Sequence, residues 1–160
     1  MCKLLIIVLV CIVSACGFHL RGTEGSYRLP FKSVYLDCNN VIICSNLHTA
    51  IKIQNFTNIN NKIESAEAVI TLFDEQTSRD PQAFNSVGRI AAYLLTYQIK
   101  ATVTKNNLPI GKTIVISVNS IMNYNDSVIL ATNQNEVIFW NNLHQKATNQ
   151  LIYQLVHVGK

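Results

Sequence analysis

Apolar and polar side chains alternate regularly over residues 92–105, and this alternation limits the possible folds of the chain more than any other part of the sequence. Every second residue from Tyr93 to Val103 is apolar, and the residues between them are mostly polar. Because successive side chains of a β-strand point to opposite faces, this pattern predicts a strand with one buried face. Segment 106–111 is rich in turn-forming residues, and segment 113–121 is predicted to return as the antiparallel mate of the first strand.

Two strands and a helix are predicted before this hairpin. Segment 31–37 alternates as a short strand does, and segment 68–75 is a dense run of β-branched and aromatic residues. Between them, residues 41–54 place apolar side chains at helical spacing, and Asn39 or Asn40 could cap that helix.

A long amphipathic helix is predicted at the C-terminal end. Asn133 and Glu136 have the spacing of a capping box, with Asn133 in the capping position. Apolar residues then recur at intervals of three and four from Val137 to Leu155, and the helix is predicted to stop near Gly159.

The predicted order β-α-β-β-β-α gives an α+β two-layer sandwich, with two helices on one face of a four-stranded mixed sheet. A right-handed crossover would make the first two strands parallel. Segment 76–88, which contains Pro81 and Gly88, is predicted to be a long loop or the frayed ends of a hairpin. This loop and loop 123–132 would lie at one end of the sheet, opposite the turn at 105–112.

The N-terminal residues have the layout of a secretory signal peptide that ends in a lipidation site. Lys3 precedes an apolar run that closes with VSAC at residues 13–16, which has the form of a bacterial lipobox. We therefore predict a signal peptide over residues 1–15, a lipid on Cys16, a tether over 16–30 and a folded domain over 31–160. The alternatives are an ordinary cleaved signal and an uncleaved membrane anchor, although a spanning helix needs about 20 apolar residues.

Composition and charge argue against several classes of function. Once Lys3 leaves with the signal, 12 Lys and Arg face 9 Asp and Glu, so the net charge of the mature chain is 12 − 9 = +3. This excess is too small to indicate a nucleic-acid partner. The sequence has no catalytic or phosphate-loop motif, and the adjacent Asp74 and Glu75 would point to opposite faces of a strand. We therefore expect no enzymatic activity and no cofactor.

Two cysteines are left in the domain once Cys16 carries the lipid. Cys38 and Cys44 are six positions apart, and a disulfide requires Cα atoms within about 7 Å. Neither a regular helix nor a regular strand brings such residues together, so a bridge would need a turn at residues 39–40. A disulfide and two buried free thiols are both open interpretations, whereas a metal site is not expected.

Two arginines are the candidate ligand-binding residues. Arg79 and Arg89 flank the predicted loop 76–88, and guanidinium groups suit bidentate contact with phosphate or carboxylate groups. The alternative is two solvated arginines on a loop. His144, like the other histidines on predicted helices, is expected to be solvated or half-buried.

The heptapeptide CGFHLRG at residues 16–22 resembles the processed N-terminus of the lipopolysaccharide-assembly lipoproteins, the LptE (RlpB) family. The resemblance continues in Gly88-Arg89 before Tyr93-Leu94-Leu95 and in Ile129-Leu130-Ala131 before the last helix, and it covers the mature chain in order. The chain departs from the family pattern in having no lysine just before the last helix and in carrying Ala92 where an acidic residue is usual.

The resemblance implies a non-enzymatic partner of LptD, the large outer-membrane β-barrel translocon. In that role the chain would sit as a plug inside the barrel, assist its assembly and take part in delivering lipopolysaccharide to the outer leaflet. The lipid on Cys16 would anchor it in the outer membrane, on the periplasmic side and in the barrel lumen, and Arg89 and Arg79 would contact lipopolysaccharide. The alternative is a free-standing, lipid-anchored periplasmic ligand carrier, which requires an apolar pocket between helices and sheet.

Overall fold

The computed structural model describes residues 28–38, 41–125 and 129–158. The predicted signal peptide, the lipidation site Cys16 and most of the predicted tether lie outside the described residues. The elements in chain order are β1 (Ser33–Cys38), α1 (Cys44–Ile53), β2 (Asn58–Ile59), a 3-10 turn (Ile63–Ser65), β3 (Ala68–Phe84), β4 (Ile90–Lys105), β5 (Leu108–Pro109), β6 (Ile114–Asn123) and α2 (Ile129–Val156).

The strands form one mixed sheet in the order β2-β1-β3-β4-β5, with β6 also paired to β4. β1 runs parallel to β2 and β3, whereas β4 runs antiparallel to β3, β5 and β6. The α+β architecture with two helices and a mixed sheet is confirmed, and so is the parallel pairing of the first two predicted strands. Within the described residues the sheet has six strands rather than the predicted four, because the short β2 and β5 extend it.

The core lies between the two helices and one face of the sheet. The alternation that predicted β4 is confirmed, because its odd-numbered residues from Leu95 to Val103 are all buried. α1 contributes Leu47 and Ile51 to the same core. α2 contributes residues at four-residue spacing that are fully buried: Leu143, Ala147, Leu151 and Leu155. Each buried aliphatic side chain larger than alanine stabilises the fold by roughly 1.5–3 kcal/mol relative to an exposed one.

The long loop predicted at 76–88 is wrong. The alternative, a hairpin, agrees with the structure, although its ends are paired rather than frayed: β3 continues as a strand to Phe84 and pairs with the first half of β4. Pro81 is compatible with this strand for two reasons. β1 pairs with β3 only as far as Leu72, so the later part of β3 is an edge strand. The pairing is also irregular between Pro81 and Ala83, and proline occurs in sheets at such edges and irregularities.

Both helices begin at positions other than those predicted. α1 begins at Cys44 with Ile43 as its N-cap and without a side-chain cap; the predicted caps Asn39 and Asn40 lie outside the described residues. α2 begins at Ile129, so Asn133 lies inside the helix and the predicted capping box is wrong. Leucine and alanine, which follow Ile129, are strong helix formers and extend the helix toward the N-terminus.

The N-terminal end of the described chain packs into the core. Leu29 and Phe31 are buried, and the Leu29 N–H donates to the Phe56 carbonyl at 3.2 Å. The packed unit therefore includes Leu29, which the sequence assigned to the tether. The chain enters at the end of the sheet that holds the start of β1 and the turn between β5 and β6, as the sequence predicted.

A disulfide joins Cys38 at the end of β1 to Cys44 at the start of α1, with a Cα–Cα distance of 5.9 Å. The turn between the two elements brings the cysteines together, and the disulfide interpretation replaces that of two free thiols. Closing a loop this short lowers the conformational entropy of the unfolded chain, which stabilises the folded state by about 2 kcal/mol.

Neither helix in residues 28–38, 41–125 and 129–158 is both long and apolar enough to cross a membrane. Over the same ranges, no three histidine, cysteine, aspartate or glutamate side chains are grouped so that they could hold a metal ion.

Candidate functional site on the long hairpin

A β-bulge determines which face of the long β3–β4 hairpin each side chain occupies. Phe73 lies opposite Lys100 and Gln76 opposite Gln98, so two residues of β3 face one residue of β4 between these pairs. Asp74, the first of the two, has φ +54°, a left-handed conformation that aspartate tolerates better than most residues. Even-numbered residues of β3 face the helices before the bulge, and odd-numbered residues do so after it.

The two acidic residues of the bulge point to opposite faces, as the sequence indicated. Asp74 lies on the open face, where its carboxylate is 2.6 Å from Lys100 Nζ and accepts a hydrogen bond from Gln76. The hydrogen bond from Lys100 is the largest of the effects that lower the pKa of Asp74. Glu75 turns toward the helices, so the two carboxylates cannot act as a paired acid and base.

The change of face places Arg79 beneath the start of α2. Arg79 lies opposite the buried Leu95, and its guanidinium is 3.0 Å from the Glu136 carboxylate of α2. The guanidinium carbon also lies 4.0 Å from the centroid of the Tyr93 ring and 5.8 Å from that of Tyr124, so two aromatic rings flank the charge. Arg79 therefore joins the hairpin to α2, and a ligand would have to share the guanidinium with Glu136.

Arg89 lies at the turn that closes the same hairpin. Its backbone N–H donates to Asn85 Oδ1 at 2.9 Å, and its carbonyl accepts from the Asn85 N–H at 2.8 Å. Gly88 supplies φ +76°, a conformation that favours glycine. Arg79 is five residues from the end of β3, which corresponds to about 17 Å of strand. The structure thus places the two arginines on one hairpin without bringing them together.

The tip of the hairpin is apolar as well as basic. Phe84 and Val87 are 63% and 73% exposed, and Arg89 follows Val87 by two positions on the same turn. We name residues 84–89 the hairpin tip. A guanidinium beside exposed apolar side chains suits a ligand that has both an anionic group and hydrocarbon.

A buried polar cluster behind the bulge was missed by the sequence analysis. The Tyr97 hydroxyl donates to Glu75 at 2.5 Å, and both Glu75 carboxylate oxygens accept from the Ile42 N–H at 3.1 Å. The His144 ring packs edge-on against the Tyr97 ring, with centroids 4.7 Å apart. Glu75 therefore ties together β3, β4 and the segment before α1.

Burial governs the ionisation of this cluster. Burial, followed by the hydrogen bond to Glu75, raises the pKa of Tyr97 far above its ordinary value. Burial lowers the pKa of His144, although the negative charge of Glu75 opposes this shift. The expectation of a solvated or half-buried His144 is wrong, because the residue is 8% exposed and its Nε2 has no hydrogen-bond partner. Its position next to Leu143, in the apolar stripe of α2, was the available sequence signal.

The sequence profile of the LptE family, described as lipopolysaccharide-assembly, matches residues 31–155. The chain belongs to the LptE family. The match spans the packed domain from before β1 into the last turn of α2, which includes the hairpin and the buried cluster. Membership assigns the chain a role in lipopolysaccharide assembly.

Solved structures of lipoproteins share the fold. The solution NMR structure of uncharacterized lipoprotein B from Nitrosomonas europaea is similar at 25% identity and a TM-score of 0.74, covering 88% of this chain and 90% of that one. The minor lipoprotein from Acinetobacter baumannii has 15% identity and a TM-score of 0.66, with 82% and 97% coverage. The rare lipoprotein B from Shewanella oneidensis has 16% identity and a TM-score of 0.60, with 76% and 91% coverage. No curated protein sequence matches the chain.

Proposed function

We propose that this chain is an outer-membrane lipoprotein, lipidated on Cys16, that sits in the lumen of an LptD-type β-barrel, assists the assembly of that barrel and takes part in delivering lipopolysaccharide. The observation that carries the proposal is the match of the LptE family to residues 31–155. The lipoprotein names of the similar structures support the lipid anchor. On this proposal the chain is a binding and assembly subunit without enzymatic activity.

The open face of the sheet supports burial inside a polar lumen. Uncharged polar side chains lie opposite one another across β3, β4 and β6 in the pairs Thr71–Thr102, Gln98–Ser117 and Thr96–Asn119. Lys100 on this face pairs with Asp74. The face also carries Asp37 and Asp80 and the exposed apolar side chains of Phe73, Val115 and Ile121. Neutral polar groups cost less to remove from water than ions, so a partner can cover the neutral pairs at low cost.

The direction of the hairpin supports a role for its tip in contacting lipopolysaccharide. The chain enters the fold at the start of β1, and the 17-residue strand β3 extends about 55 Å to the opposite end. The hairpin tip therefore points away from the end to which the lipid on Cys16 would be attached. We assign the contact with the phosphate groups to Arg89, with Arg79 contributing if lipopolysaccharide displaces Glu136.

The ligand assignment is tested by reversing single charges at the two ends of the molecule. Arg89→Glu should weaken binding of purified lipopolysaccharide about tenfold, the scale of one charge-assisted contact of 1.5 kcal/mol. Lys112→Glu makes the same change of charge at the opposite end, on an exposed residue, and should leave binding unchanged. Equal binding by the wild type and Arg89→Glu would remove the hairpin tip from the ligand site.

The barrel assignment is tested by depletion in the source bacterium. Loss of the protein should reduce the amount of folded LptD-type barrel and the amount of lipopolysaccharide at the cell surface together. Normal levels of both after depletion would contradict the proposal.

The free-standing carrier is not retained. That function needs an apolar cavity between helices and sheet, and in the described residues this space is filled by fully buried side chains such as Leu47, Ile70 and Leu151. A cavity of about 470 Å³ lies instead at the entry of the chain, where Arg28 and Lys32 are among its lining residues.

A further inference from the structure

Strand β6 leaves one long edge of the sheet unpaired. Its ten residues pair with β4 on one side, and no strand among residues 28–38, 41–125 and 129–158 pairs with the other side. A free strand edge presents a row of backbone N–H and C=O groups that can pair with another chain. Proteins normally protect such edges with charges, prolines or bulges.

The backbone groups on this edge follow from the pairing register. The Tyr124 N–H donates to the Ala91 carbonyl at 2.9 Å, and the register continues without a shift from Asn123 to Ile114. In an antiparallel pair, alternate residues direct their backbone groups toward the partner strand. Even-numbered residues of β6 therefore bond to β4, and the odd-numbered residues direct theirs outward: Val115, Ser117, Asn119, Ile121 and Asn123.

The β6 edge lacks the features that block pairing. Its sequence, IVISVNSIMN, contains no charge and no proline, and its pairing with β4 has no bulge. The free part of β3 at the opposite edge carries Arg79, Asp80 and Pro81 and follows a bulge. The molecule thus protects one edge and leaves the other open.

A groove of about 240 Å³ lies between β6 and α2. β6 contributes Ser120, and α2 contributes the apolar Phe139 and Leu143 and four polar residues: Asn142, Gln145, Lys146 and Asn149. A strand added to β6 would direct alternate side chains toward the helices, and one of them would enter this groove. Backbone bonds with a pocket for an alternate side chain are the elements of strand-addition recognition.

We propose that an extended segment of the barrel partner adds to the β6 edge as a further strand and places one of its alternate side chains in the groove beneath α2. This inference rests on the proposed function, because it takes the LptD-type barrel as the partner. The wall strands of a closed barrel are paired on both edges, so a wall strand cannot supply the segment. The added strand is therefore a loop that the barrel projects toward its lumen.

A second copy of the chain fits the edge less well. Pairing β6 with itself about a two-fold axis at Asn119 would place both α2 helices on the same face of the joined sheet. The two grooves, each lined by Ser120 and Lys146, would then lie on either side of the axis, which brings two like charges to the same face of the joined sheet. Like charges near one another oppose such an assembly, whereas a loop without a helix avoids this repulsion.

Two variants at Asn119 distinguish the contribution of the backbone to barrel binding from that of the side chain. Asn119→Pro removes an outward N–H without removing a bond to β4, and Asn119→Ala removes only the side chain. After co-expression with the cognate barrel and purification through a tag on the barrel, Asn119→Pro should lower the recovered lipoprotein at least tenfold. Asn119→Ala shortens one neutral side chain of the open face and should lower recovery by no more than about threefold, the scale of one neutral hydrogen bond. Thermal unfolding of both purified variants checks that the proline variant folds.

A second pair of variants tests the groove without altering the strand. Asn142→Trp would fill the groove and should also lower recovery, whereas Gln150→Trp changes an exposed residue of the same helix that does not line the groove. Normal recovery of both Asn119→Pro and Asn142→Trp would overturn the strand inference and leave the barrel partnership standing. Wild-type protein that does not co-purify would overturn the partnership itself. Self-association that Asn119→Pro abolishes would assign the edge to a second copy and overturn the inference.

Discussion

The hydrogen bond between Tyr97 and Glu75 should contribute measurably to the free energy of unfolding. Tyr97→Phe removes a buried hydroxyl that donates to a carboxylate at 2.5 Å, and a bond to a charged group contributes about 1.5–3 kcal/mol. Glu75 is only half-buried and keeps its bonds from the Ile42 N–H, so water can replace part of the loss. We expect the free energy of unfolding to fall by about 1.5 kcal/mol, the low end of that range.

Removing the other partner should cost more. Glu75→Ala leaves the hydroxyl of the fully buried Tyr97 without an acceptor and frees the Ile42 N–H, so the loss should be about 3 kcal/mol. For a domain of this size, that loss lowers the melting temperature by about 10 °C. In the double variant the hydroxyl and its acceptor are both absent, so the two losses should not add.

The assay is a double-mutant cycle measured by urea unfolding of the soluble domain under oxidising conditions. We expect a coupling energy of about 1.5 kcal/mol between Tyr97→Phe and Glu75→Ala. Additive losses, within about 0.5 kcal/mol, would refute the assignment of Glu75 as the acceptor that holds β3, β4 and the segment before α1 together.

Three further predictions concern acid sensitivity, the disulfide and the lipid. Burial holds the pKa of His144 below its ordinary value of 6.5, so the unfolded chain binds the proton at a higher pH than the folded protein does. The free energy of unfolding should therefore be highest above about pH 6.5 and should fall as the pH drops below that value. His144→Phe should flatten this fall, whereas His157→Phe, at an exposed position, should keep it; unfolding curves between pH 5 and 8 decide. The double variant Cys38→Ser, Cys44→Ser should lose about 2 kcal/mol of stability, and reduction of the wild type should give the same loss in urea. Cys16→Ala, expressed with its signal peptide, should appear in the soluble periplasmic fraction when no barrel is co-expressed, and tight sedimentation with membranes would contradict lipidation at this residue.

The elements that could be predicted from the sequence are those with one face buried along their whole length. β4 alternates regularly because one of its faces packs on the helices throughout its length, and the apolar stripe of α2 has the spacing of a helix in contact with a sheet. The extension of β3 to Phe84 was hidden, because the bulge at Asp74 reverses the alternation and Pro81 opposes a strand. That part of β3 is held by pairing with β4, which is a tertiary effect.

The contacts of the candidate site residues depend on tertiary structure even more than the extension of β3 does. Arg79 could be recognised as a candidate from its residue type, but its contacts with Glu136 and Tyr93 exist because the bulge changes the face of the strand. The burial of His144 likewise depends on how α2 lies across the sheet. The resemblance, by contrast, was carried by the heptapeptide at residues 16–22, and the family match over 31–155 lies entirely outside that segment. The heptapeptide and the family match therefore lie in different segments, whereas the weaker parts of the resemblance, at residues 88–95 and 129–131, fall within the match.

The mass of the complex formed with the cognate barrel shows whether the chain is a bound subunit of that barrel. The lipoprotein and the LptD-type barrel are co-expressed, extracted in mild detergent, purified through a tag on the barrel and weighed by native mass spectrometry. We predict one lipoprotein bound to one barrel, stable through gel filtration and resistant to proteolysis in the complex. A barrel that purifies alone, beside a lipoprotein that migrates as a free monomer, would contradict the claim.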